Sequence, residues 1–118
     1  VNQIKVPNVE TTKELVTFIG KESGGEPFNF ALLAQNNYDS AYRYFFAVAS
    51  FPVEFTTQTT GQLFVVCEGE EVCQPEGNPK WEIALFDAAY DGKIEKVNEW
   101  EFYNYIRVFH FKPRKVGQ

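Results

Sequence analysis

The chain has no methionine, a single histidine and only two cysteines among its 118 residues. Without methionine, Val1 cannot be an initiator residue. We read it as a mature end left by signal-peptide removal or as a boundary of the segment. A metal centre lacks ligands, because Cys67 and Cys73 have only His110 and distant carboxylates for company; no metal and no cofactor are expected. Positive charge is scarce as well. Eleven Lys and Arg against sixteen Asp and Glu leave a net charge of −5, which argues against a nucleic-acid partner, since that needs clustered basic residues. The one basic cluster, Lys112-Pro113-Arg114-Lys115, reads as a solubilising tail. No stretch approaches the roughly eighteen apolar residues of a membrane span, so membrane insertion is not expected.

What the chain has in plenty is aromatic side chains: 12 Phe, 6 Tyr and 2 Trp. That suits a packed, β-rich core. The length fits one domain over 1–118, able to bury roughly 60–70% of the surface of its unfolded chain. Cys67 and Cys73 lie close together in sequence. In an oxidising compartment they would staple a short connection, worth about 2 kcal/mol on the loop-entropy model; in the cytosol they would be two unrelated thiols. We favour the disulfide and a secreted protein.

Along the chain, Thr11-x-x-Glu14 has the form of a capping box, and Leu15, Val16, Phe18 and Ile19 follow at helical spacing, with Gly20 as a candidate C-cap. Glu22 to Pro27 is a loop rich in helix breakers. Ala31, Leu32, Leu33, Ala34, Tyr38, Ala41 and Tyr42 fit one wide helical face between Phe28 and Arg43. From Phe45 to Phe55 every odd position is apolar, a period of two that predicts a strand with its odd side chains buried; Pro52 implies an edge or a bulge. Leu63 to Cys67 predicts a second strand. The polar tip between them, Thr56 to Gly61, would make a projecting hairpin. Trp81 to Phe86 and Tyr103 to Lys112 read as further strands, the last covered on both faces, with Trp81 in the core. Ile94 to Asn98 is too short and charged to assign. One helix across an antiparallel sheet is the simplest way to bury these faces.

Several of these segments resemble plant cystatins. Phe30-Ala31-Leu32-Leu33-Ala34-Gln35-Asn36 is similar to a drifted form of the family's helix pattern. Val6-Pro7-Asn8-Val9 resembles its leader, and Tyr105 to Pro113 its closing strand. The resemblance covers most of the chain, with insertions near 22–29, 67–79 and 87–98. It implies an α+β, cystatin-like fold: one main helix packed across a curved antiparallel β-sheet of four to five strands. It also implies reversible, non-covalent inhibition of a papain-like cysteine protease by a wedge, in a secreted, extracellular or vacuolar plant protein. The wedge residues would be Val6 and Pro7 in the leader, Thr57, Gln58, Thr59, Thr60 and Gly61 in the first hairpin, and Trp100 near the second. Each part departs from the family pattern. Thr57 and Thr59 stand where the motif has Gln and Val, no Gly precedes the first helix, and there is no Pro-Trp pair.

Two rival readings follow from those departures. One is a cystatin-fold binding module that has lost inhibition. The other is a small pocket enzyme or ligand carrier, with a cavity between helix and sheet lined by Tyr38, Tyr42, Tyr105 and His110. His110 shares a strand face with Ile106 and Val108, so it reads first as a sheet residue with one satisfied hydrogen bond. Trp100 likewise reads first as a half-buried sheet aromatic, and the loop from Gln58 to Gly61 as an exposed turn about as readily as an inhibitory one.

Overall fold

Residues 8–35, 39–69 and 73–115 are described by a computed structural model. The first helix, α1, covers Val9–Glu22, and its start is set by Asn8, whose side chain accepts from the Thr11 N–H at 2.8 Å. The helix therefore begins ahead of the Thr11 capping box. Gly20 does not end it: the C-cap is Ser23, followed by Gly24 and Gly25 at positive φ. Gly20 is buried within the helix under the Phe51 ring, and a Cβ there would lie 2.3 Å from that ring. Close packing, not capping, requires the glycine.

The next segments depart from the expected roles. Phe28–Leu33, expected as the start of a helix, forms strand β1, and helix α2 covers Ser40–Val48, running on past Arg43 into residues expected as strand from Phe45. β1 is buried on both faces almost throughout, and a short apolar run of that kind has no period that separates strand from helix. In α2 the buried pair is Tyr42 and Phe46, an i,i+4 spacing, while the alternation that continues from Phe45 to Phe55 is incidental to the helix. A turn with Ser50 at φ 58° leads to the two-residue strand β2, Val53–Glu54. Strand β3 is Leu63–Glu68. Trp81–Ala89, expected as strand, is helix α3; it buries Ile83 and Phe86, while Trp81, expected in the core, is 47% exposed. Ile94–Phe102, left unassigned in part, is strand β4, and Ile106–Pro113 is strand β5, joined to β4 by a tight turn with Tyr103 and Asn104 at positive φ.

The five strands form one open, mixed sheet in the order β2-β1-β3-β5-β4. β1 pairs in parallel with both β2 and β3, whereas β3–β5 and β5–β4 are antiparallel. The architecture is thus α+β with five strands, but three helices replace one main helix and half of the sheet is parallel. The projecting hairpin does not form, because β2 and β3 run in the same direction on opposite sides of β1. Parallel neighbours need crossover connections, and α2 supplies the one from β1 to β2. α3 leads from β3 to β4, which skips past β5. The chain leaves the centre leftward through α2 and rightward through α3, so crossovers of one hand put these helices on opposite faces.

Strand alternation divides the core accordingly. Phe28, Phe30, Leu32, Phe64, Val66, Ile106 and Val108 meet α1 and α2, while Ala31, Leu63, Val65, Cys67, Phe109 and Phe111 meet α3. β5 is covered on both faces, as its composition predicts. The Cys67–Cys73 disulfide is formed, with its Cα atoms 6.1 Å apart, and ties the end of β3 to the segment that enters α3.

Candidate functional site

Gln62, just ahead of β3, is a polar side chain only 4% exposed. Its Nε2 donates to the Ser23 carbonyl at 2.9 Å and the Glu26 carbonyl at 3.2 Å, both in the α1–β1 loop. Those two acceptors orient the amide, so Oε1 is left to accept from His110 Nε2 at 2.8 Å. This makes His110 the Nε2–H tautomer, neutral and spent as a donor. Its ring stacks on Phe64 with centroids 4.0 Å apart. Burial first, and the Lys112 ammonium second, push its pKa down to about 4. His110 is therefore the sheet residue with a satisfied hydrogen bond that its strand position suggested.

Around this amide opens a cleft of about 450 Å³, lined by Ser23, Glu26, Pro27, Thr59, Thr60, Gly61, Gln62 and Lys112. One wall is the C-terminal end of α1 and its loop. A second is the segment from Thr59 to Gln62, and Lys112 at the end of β5 borders the opening. The 55–62 segment is held down. Asn29, the second residue of β1, donates through Nδ2 to the Gln58 carbonyl at 2.9 Å and accepts the Thr60 N–H at 2.7 Å. From the C-cap of α3, the Tyr90 hydroxyl donates to the Thr60 carbonyl at 2.6 Å. Gly61 faces open space, with no atom within 4 Å of where a Cβ would be.

The residues expected at a site are dispersed over this frame. Thr57 and Gln58 are exposed on the anchored segment; Thr59, Thr60 and Gly61 border the cleft. Trp100 lies on β4, opposite Val108, and packs edge-on against Phe18 of α1 with centroids 4.8 Å apart, a half-buried sheet aromatic. Val6, Pro7 and Tyr38 lie outside the described residues. Tyr42, Tyr105 and His110 do not line one cavity. Tyr42 and Tyr105 belong to the other end of β3, where the Tyr42 hydroxyl donates to Glu68 Oε2 at 2.5 Å and the Tyr105 carbonyl accepts from the Gly69 N–H. Ile106 pairs with Glu68 while His110 pairs with Phe64, a separation of roughly 13 Å along the strand. Burial raises both the Tyr42 hydroxyl and the Glu68 carboxyl. Glu68 is thus a half-buried strand residue.

The sequence reading missed Gln62, Asn29, Glu26 and Lys112. Asn29 carried a signal, since one amide inside the apolar run from Phe28 to Leu33 needs a partner if buried. Gln62 carried none, because nothing local distinguishes it from an exposed residue entering a strand. No group of three or more metal-ligating side chains gathers among the described residues, and no helix there is long and apolar enough to cross a membrane. No family model, curated protein or solved structure matches the chain.

Proposed function

We propose that this chain is a binding module that holds a small polar ligand in the cleft between the α1–β1 loop, the Thr59–Gln62 segment and Lys112. The observation that carries this reading is the coexistence of an open volume with a buried, fully bonded floor: Gln62 fixes both the loop wall and His110. A preformed cavity with a few oriented polar groups is the usual form of a small-molecule site. Binding without covalent chemistry is favoured over catalysis because His110 is committed to Gln62 and both cysteines share the disulfide.

The test is a titration of ¹⁵N-labelled protein with a defined panel of sugars, short carboxylic acids, amines, amino acids and dipeptides. At least one member should shift the amide resonances of 23–26 and 59–62, and Gly61→Trp should abolish that shift. Gly61 is not at positive φ and a side chain there meets open space, so the variant fills the cleft with little strain. A panel in which no compound moves these resonances rules the reading out.

A second reading is reversible inhibition of a papain-like cysteine protease by the exposed segment that ends at Gly61. The observation in its favour is the exposed backbone around Gly61, with Thr56, Thr57 and Gln58 exposed beside it. The disulfide supports an extracellular or vacuolar location for either role. Sub-micromolar inhibition of papain that Gly61→Glu weakens would establish it; no inhibition at tens of micromolar would remove it.

A further inference from the structure

We propose that the cleft is built for a small zwitterion, a free α-amino acid or short peptide, whose ammonium lies toward Glu26 and whose carboxylate lies toward Lys112. This rests on the binding-module reading above. Glu26 comes from the α1–β1 loop and Lys112 from the end of β5, so two elements distant in sequence bring opposite charges to the rim of one cavity. Neither charge is paired: the ion pairs among the described residues join Lys13 with Glu10 and Glu99 with Lys96 and Arg107. Two opposite charges that border a common space without meeting leave room for a ligand that carries both complements.

The fields of the two walls agree with that polarity. The C-terminal end of α1 delivers the negative pole of the helix next to Glu26. The carbonyls of Ser23 and Glu26 already accept from Gln62, so this wall is oxygen-rich and held rigid. A cation fits it and a free anion does not. On the other side, the positive field of Lys112 reaches the floor, where it helps keep His110 neutral. The Gly61 N–H makes no hydrogen bond among the described residues, and Gly61 lines the same space. With no side chain at Gly61 and open space where a Cβ would be, a carboxylate can approach the backbone there closely. The volume, about 450 Å³, suits an amino acid or dipeptide and falls in the lower half of the range of roughly 300–1,000 Å³ usual for ligand pockets.

The experiment compares glycylglycine with N-acetylglycine, which lacks the ammonium, and with glycinamide, which lacks the carboxylate. Each is titrated into ¹⁵N-labelled protein at low salt. Glycylglycine should shift the amides of 23–26 and 59–62 at the lowest concentration. Glu26→Gln and Lys112→Gln should each weaken it by roughly two- to fivefold, the upper part of the range of one exposed charge contact. Both side chains are exposed, so the variants should keep the wild-type unfolding midpoint. N-acetylglycine or glycinamide binding as tightly as glycylglycine, or either variant leaving its Kd unchanged, overturns the zwitterion assignment alone. If neither these compounds nor any member of the broader panel shifts the cleft resonances, both the assignment and the binding-module reading fall.

Discussion

Gln62 and Glu68 stand at opposite ends of β3, and each puts a polar side chain against an aromatic interior. Gln62 is neutral and makes three strong contacts, two as donor and one as acceptor. Glu68 is an acid with one donor, the buried Tyr42 hydroxyl. In sheets with parallel strands, ligands usually bind beyond the carboxyl ends where neighbouring connections diverge. The connections from β1 and β3 diverge in this way, which marks the Glu68 end. Yet there the described side chains pack together, with Tyr42 and Cys67 buried and the disulfide closing over β3. The cleft described above opens at the amino ends of β1 and β3 instead. An amide that satisfies its surroundings completely can floor an open site, whereas an acid with one partner is better suited to a closed one.

The largest test of this contrast is Gln62→Leu. It removes the donor to two loop carbonyls and strands the His110 imidazole, so it should destabilise the fold by roughly 3 kcal/mol in urea unfolding. A loss under ~1 kcal/mol would mean that the amide is not the organiser of its end. Tyr42→Phe should cost less, about 1–2 kcal/mol, by leaving Glu68 half-buried without its donor. It should leave every ligand shift at the cleft unchanged, and a change there would show that the two ends are coupled.

The most specific effect is on pH dependence. His110 titrates near 6.5 when unfolded and is pushed down to about 4 in the fold. Between those values the unfolded chain binds the extra proton, so the stability that His110 contributes is present above about pH 6.5 and is lost as pH falls toward 4. Glu68 acts with the opposite sign: its raised pKa stabilises the fold below its ordinary value of 4.5 and fades as pH rises through the folded value. In a Glu68→Gln background, where that opposing contribution is gone, unfolding free energy should fall by up to about 2 kcal/mol from pH 6.5 to 4. Adding His110→Gln should flatten the slope. A slope that survives this substitution assigns the effect elsewhere.

How much of this was legible depended on whether local pattern and tertiary role coincided. In β5 they did, because Val108, Phe109, His110 and Phe111 leave no polar face and the strand is covered on both sides. α1 was legible as a helix although both of its ends were misplaced. β1 and α2 were not. Six residues that are buried on both faces look the same as part of a helix, and the alternation running from Phe45 to Phe55 crosses a helix, a turn and a strand. The cleft was least legible. Thr59, Thr60 and Gly61 were singled out from sequence, but as the tip of a hairpin, whereas Asn29 and Tyr90 hold them against the sheet.

Residues read along the chain were enough to point to an α+β fold with an aromatic core, to favour the Cys67–Cys73 disulfide and to find the final buried strand. Composition, proximity along the chain and continuous hydrophobicity are local quantities that need no knowledge of partners. The parallel half of the sheet, the helices on both faces and the meeting of Ser23, Glu26, Gln62, His110 and Lys112 emerge only in the assembled fold. Each of those depends on which strands become neighbours, and strand neighbours are chosen by burial on both faces of the assembled sheet, not by the residues of any one segment.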